Sequence, residues 1–226
     1  MATFTVDGTT DPFMRVELEQ GEAIFAERDA MASMSATLKL TGKAKGGVLK
    51  SLARAATTGE SFFMQEISAP NGPGNVMLSP RQPGEVLKID VNDEEWMLSD
   101  GAFLAAEESL KITTVRQKKI GTALFGGTGG FFQLQASGSG ALVVSCIGAL
   151  REMPIAPGEE ILVDSGHAVA WPKTLSMKPT LATGQGGGIV GKMIGSAKTG
   201  EGVVLKFNGG DHGGEVYIAS RSRPSF

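Results

Sequence analysis

A chain of 226 residues can form one large β domain or two small ones, and its formal net charge of -3 gives it no global attraction to nucleic acid. A single cysteine, Cys146, excludes an internal disulfide, and no apolar run approaches the ~18 residues of a membrane-crossing helix. Glycine, at 32 residues, is the outlier and points to a turn-rich β architecture; without a signal-peptide pattern at Met1 to Asp7, the cytoplasm is the expected compartment.

In chain order, Phe13 to Leu18 alternates, setting Val16 and Leu18 against Arg15 and Glu17, the pattern of a half-buried strand. Gly21 turns it into Ala23-Ile24-Phe25-Ala26. The same hairpin phrase returns as Trp96-Met97-Leu98, Asp100-Gly101 and Ala102 to Ala105. It returns again as Ile161-Leu162-Val163, Asp164-Ser165-Gly166 and His167 to Trp171. Asp-Gly and Ser-Gly suit tight hairpins, since glycine reaches positive φ without a Cβ penalty. Each phrase is followed by another alternating strand: Thr37 to Leu40, Leu110 to Thr113, and Leu175 to Lys178. Pro83-Gly84-Glu85 and Pro157-Gly158-Glu159 break the preceding structure and are expected at joints between copies.

Each copy then inserts a glycine-flanked apolar segment. The first, Gly46 to Ala56, carries Val48, Leu49, Leu52 and Ala53 at helical spacing, with Lys50 and Arg54 off that face. The second, Gly121 to Gly127, carries Leu124 and Phe125. The third, from Gly186, carries Ile189, Val190, Met193 and Ile194 beside Lys192 and Lys198. Short helical turns are expected in these inserts. A glycine-apolar strand follows each (Gly59 to Phe63, Gly130 to Phe132, Gly200 to Val204). Each copy then closes on a glycine-opened strand: Gly74-Asn75-Val76-Met77-Leu78, Gly140-Ala141-Leu142-Val143-Val144 and Gly214-Glu215-Val216-Tyr217-Ile218. The copies fall roughly 65–75 residues apart, which predicts three repeats of one unit. The expected layout is a single domain over 1–226, with repeats at approximately 13–91, 94–160 and 161–222.

Leu87 to Glu107, Pro157 to Ala170 and Gly200 to Ser222 carry a family likeness. Through them the chain resembles the altered-inheritance-of-mitochondria family number twenty-four and its bacterial relatives, over nearly its whole length beyond about residue 12. The resemblance implies an all-β single domain of three repeats about a pseudo-threefold axis. Each repeat would be like the β unit of the tryptophan-RNA-binding attenuation protein, and the whole domain would resemble a double-stranded β-helix with short helical inserts. The family is a domain of unknown function, so no catalytic residue is carried over. Its eukaryotic members imply a link to mitochondrial inner-membrane organisation.

Motifs with chemical content are few. Gly186 through Lys192 reads G-x-x-x-x-G-K, but Met193 stands where a phosphate-binding loop needs Ser or Thr, and no βαβ pattern surrounds it. His167 and His212, the only histidines, sit in different contexts, so no metal site is expected. Asp90, Asp93, Glu94 and Glu95 read as a solvated acidic joint. Cys146 lies in a buried-strand sequence that quiets its thiol. Asp164, Ser165 and His167 are too close along one turn to converge as a triad. For RNA, 2 tryptophans, 1 tyrosine and the basic run Arg116-Gln117-Lys118-Lys119 make a thin inventory.

The expectation is therefore a protein that is not an enzyme, with no catalytic, cofactor or metal residues and no nucleic-acid partner. Its role would be that of a self-associating scaffold or protein-interaction module, peripheral to membrane complexes and able to meet a membrane-associated protein. The candidate interaction surface is the set of inserts, Val48, Leu49, Leu52, Leu124, Phe125, Ile189, Val190, Met193 and Ile194; the bland alternative is that they cap the barrel. A small-molecule binder or unrecognised enzyme with a pocket between repeats is the competing reading.

Overall fold

Alternation in the sequence becomes alternation in burial. In Phe13–Leu18 the side chains of Met14, Val16 and Leu18 are buried, while Phe13, Arg15 and Glu17 face solvent. The computed structural model describes residues 1–43, 64–116, 132–181 and 203–222. These form antiparallel strands and turns, with no helix among the described residues. In order the strands are β1 (Thr3–Asp7), β2 (Phe13–Leu18), β3 (Ala23–Glu27), β4 (Met31–Met34), β5 (Lys39–Lys43), β6 (Met64–Ser68), β7 (Gly74–Leu78), β8 (Val86–Ser99) and β9 (Phe103–Glu107). They continue as β10 (Lys111–Arg116), β11 (Phe132–Ser145), β12 (Leu150–Ile155), β13 (Glu160–Asp164), β14 (Ala168–Pro172), β15 (Ser176–Leu181), β16 (Val203–Asn208) and β17 (Gly214–Ala219).

One ladder scheme occurs in three successive groups. In the first, β7 lies between β2 and β4, and β6 lies between β3 and β5. In the third, β17 lies between β12 and β14, and β16 between β13 and β15. The second compresses the same scheme into two long strands. There the C-terminal half of β11 lies between the start of β8 and β9, and its N-terminal half lies between the end of β8 and β10. A register shift recurs in each group where the strand after the turn meets its partner, at Met31/Ser33, Val143/Val144 and Ala168/Ala170.

These ladders revise two local readings. The glycine turns at Gly21, Asp100-Gly101 and Ser165-Gly166 do not make hairpins, because the strands flanking each turn pair with other strands. They are corners that carry the chain from one ladder to another, closed by short-range bonds such as Ala102 N to Ser99 O at 3.1 Å and His167 N to Asp164 O at 3.0 Å. Val86 to Val91, counted by sequence with the first copy, ladders with Gly140 to Ser145 of the second group. Pro83-Gly84-Glu85 therefore precedes a group, whereas Pro157-Gly158-Glu159 turns inside one. Gly84 meets Gly148 in an isolated parallel bridge at the group boundary.

The groups are joined in a row. β3 of the first pairs with β9 of the second, Phe25 opposite Ala106. The end of β8 pairs in the same way with β14 of the third, Met97 opposite Trp171. Each group builds most of one apolar core, and the cores share side chains across the junctions: Met64 of the first group and Val169, Ala170 and Ala219 of the third join the second core, and Leu104, Ala105 and Val143 of the second join the first. Phe25 lies in the core of the second group and Met97 in that of the third. Among the described residues no ladder joins the third group back to the first.

Candidate interaction surface

The nine apolar residues Val48, Leu49, Leu52, Leu124, Phe125, Ile189, Val190, Met193 and Ile194 lie outside the described residues, as do their basic neighbours Lys50, Arg54, Lys192 and Lys198. Their attachment points are described. The first insert leaves the ladder pair Lys43 and Met64, the second leaves Arg116 and Phe132, and the third leaves Leu181 and Val203. Each is the last pair of the corresponding ladder, so the three inserts spring from equivalent ends of the three groups.

Residues with chemical potential are occupied structurally. Cys146 is buried, and its thiol donates to Gly148 O at 3.4 Å. The His167 ring Nδ1 meets Ala219 O of β17 at 2.8 Å, and Asp164 Oδ1 accepts from Gly166 N of its own corner at 2.8 Å, so both are engaged with the backbone. His212 is exposed in the turn before β17. Among the described residues no three His, Cys, Asp or Glu gather as a metal set. The acidic stretch belongs to strand rather than linker: Asp90, Asp93, Glu94 and Glu95 are exposed along β8. Glu95 there holds Lys173 at 2.6 Å and Gln135 at 2.6 Å. Asp93 takes φ 56° where β8 turns its corner, the left-handed conformation that Gly21 (φ 91°) and Gly158 (φ 75°) supply in the other groups. An open surface cavity of about 150 Å³ is lined by Glu160, Ser176, Lys178, Lys206 and Asn208, all from the third group. There Lys206 bonds Glu160 at 2.6 Å and, with Asn208, holds the Glu160 carboxyl below its ordinary range.

The half-buried Tyr217 hydroxyl, 3.3 Å from Glu215, is pushed up to about 12 by burial first and by the nearby charges of Glu215 and Glu152. Its ring packs against Trp96, centroids 5.9 Å apart, across the junction between the second and third groups.

Exposure differs sharply among equivalent strands. β9 and β14 are buried at every residue, whereas β4, which holds their place in the first group, exposes Ala32 and Ser33 and half-buries Met31 and Met34. Phe25, Met97 and Leu162 face equivalent residues, Glu66, Gln135 and Lys206. Their exposures are 2%, 7% and 65%. Sequence reasoning missed these edges because Ile161-Leu162-Val163 looks like Ile24-Phe25-Ala26 and Trp96-Met97-Leu98. The signal available was the count of copies: a row of three has two unneighboured ends.

With this arrangement established, comparison places the chain. The profile of the family described as mitochondrial biogenesis AIM24 matches residues 4–221. The chain belongs to the AIM24 family. A relative in Streptococcus pyogenes serotype M6, the uncharacterised protein M6_Spy0233, is 31% identical over 230 residues, covering 99% of this chain and 87% of the relative. The crystal structure of SPYM3_0169 from Streptococcus pyogenes superposes with a TM-score of 0.78 at 28% identity, covering 98% of this chain and 94% of that one. The AIM24 likeness read from the three sequence phrases therefore holds, and so does the all-β architecture. No helix among the described residues is long and apolar enough to cross a membrane.

Proposed function

We propose that this AIM24 chain is a non-catalytic scaffold or interaction module of the cytoplasm, self-associating and peripheral to membrane complexes. The observation that carries the reading is the recurrence of one attachment point: each apolar insert departs from the terminal pair of the same ladder in its group. Three equivalent anchors would present Val48, Leu49 and Leu52, then Leu124 and Phe125, then Ile189, Val190, Met193 and Ile194 as one multivalent surface. Lys50, Arg54, Lys192 and Lys198 suit that surface to an acidic environment. Each insert is short and would bury little area alone, which favours contact with a second copy of the chain over bare lipid, with a membrane-associated protein as a further partner. The engagement of Cys146, His167 and Asp164 in structural contacts supports a non-catalytic role.

The test pairs sedimentation velocity with flotation on native membrane vesicles and on protein-free anionic liposomes. The expected outcome is a species larger than the monomer, together with flotation on native vesicles that Leu49→Asp and Ile194→Asp abolish. A monomer at every concentration would remove the self-association half of the reading. Flotation on neither membrane, or flotation indifferent to both substitutions, would remove the other half.

A further inference from the structure

Every group in the row lends an apolar side chain to the core of the group after it, except the last. Phe25 enters the second core and is 2% exposed; Met97 enters the third and is 7% exposed. Leu162, at the same place on β13, has no following group and stands 65% exposed. The complementary defect lies at the other end. The first core receives no side chain from a preceding group, and Met31 and Met34 of β4 rest against it only partly buried. Among the described residues the strands β5, β10 and β15 each ladder on one side only, alike in all three groups, so their open outer edge is a property of the unit. The openness of β4 and β13 is not: their counterparts are all laddered. A knob without a socket and a socket without a knob therefore sit at opposite ends of one chain.

We infer that β13 of one chain pairs antiparallel with β4 of a second copy, continuing the internal row of groups from chain to chain in a head-to-tail assembly. The inference rests on the self-association proposed above and names its surface. The register follows from the two internal junctions, where Phe25 faces Ala106 and Met97 faces Trp171. By the ladder positions of β4, the same register sets Leu162 opposite Met34 and Val163 opposite Ser33. Leu162 would then enter the first core of the next copy beside Met31 and Met34, as Phe25 and Met97 do within the chain. Charges on β13 do not oppose the docking. Glu160 is neutralised by Lys206 at 2.6 Å, and Asp164 is turned into its own corner by Gly166 N. Backbone pairing would supply the directional bonds and Leu162 the apolar anchor. Because the two surfaces differ, the contact is heterologous and repeats until a ring closes or a filament grows.

Directional cross-linking tests this. Residues opposed in an antiparallel ladder lie about 4.5–5.5 Å apart at Cα, within disulfide reach. Leu162→Cys and Met34→Cys are made in separate chains, the native Cys146 being buried. Mild oxidation of the mixture is expected to give a disulfide-linked pair containing one chain of each kind, and neither variant alone should cross-link. A chain carrying both substitutions should give a ladder of covalent oligomers. Leu162→Asp should weaken assembly by about tenfold or more, since docking would bury an unpaired carboxylate. Self-cross-linking of Leu162→Cys would overturn the inference in favour of a symmetric contact. No mixed product from a protein that sediments as an oligomer would overturn it while leaving self-association intact, through the inserts or another face. A strict monomer would overturn both.

Discussion

Truncating one structural position in three successive groups should produce three very different costs. Phe25, Met97 and Leu162 have the same ladder environment, and only the presence of a following group separates them. Phe25→Ala empties a site in the second core and should cost about 3–5 kcal/mol; Met97→Ala does the same in the third, at about 2–5 kcal/mol. Full burial of a leucine contributes about 1.5–3 kcal/mol. Leu162 is 65% exposed, so only about a third of that is at stake, and Leu162→Ala should cost about 0.5–1 kcal/mol. Urea unfolding at the lowest workable chain concentration, followed by the fluorescence of Trp96 and Trp171, reads all three. Raising the concentration should add a penalty for Leu162→Ala that the other two do not share, because assembly stabilises the folded chain by mass action. A loss for Leu162→Ala equal to that for Phe25→Ala in dilute solution would refute the reasoning, since the edge would then be covered within the chain.

Gly84→Ala should lower the melting temperature sharply. An added Cβ there would lie 2.0 Å from Cys146 O and 2.6 Å from Gly148 N, backbone that must move, at a cost of about 3 kcal/mol or more. An unchanged melt would contradict the close approach at the group boundary. Glu107 is 7% exposed and accepts from Ala141 N at 2.7 Å, so Glu107→Leu leaves a buried N–H unpaired and should cost about 1–3 kcal/mol in denaturant unfolding; a neutral result would deny that role. Tyr217 is the single tyrosine, and its phenolate absorbance should appear with a midpoint near 12 rather than 10.0. The folded value is raised, so the stability linked to it is complete below the unfolded value and is lost as pH rises through the folded one. A midpoint near 10.0 in the folded protein would show that burial at the junction with Trp96 is not felt.

The glycine-opened strands Gly74 to Leu78, Gly140 to Val144 and Gly214 to Ile218 were legible in the sequence because local alternation and glycine fix strands over short spans. What each strand pairs with was not. The Asp100-Gly101 corner and a true hairpin share the same short-range turn bond, and the choice between them is made by β11, some thirty residues on. That is why corners read as hairpins, and why the sequence groups Val86 to Val91 with the first copy although its ladder partner is Gly140 to Ser145. In the candidate site, the apolar character of Leu49 or Ile194 is written locally, whereas the exposure of Leu162 is not. Ile161-Leu162-Val163 is as apolar as the buried Trp96-Met97-Leu98, and only its place in the last group leaves it uncovered. Asp93, at φ 56°, hid a corner in the same way by standing where the other groups use glycine.

The central claim, a row of β groups whose two open ends recognise each other, is tested most directly by hydrogen exchange measured as a function of chain concentration. The account predicts that the outward-facing amides within Met31–Met34 and Glu160–Asp164, those not bonded to β7 or β16, exchange readily in dilute solution and gain protection together as concentration rises, while those of β9 and β14 stay protected throughout. Equal protection of both edges at the lowest concentration, or no gain for either as larger species form, would contradict it.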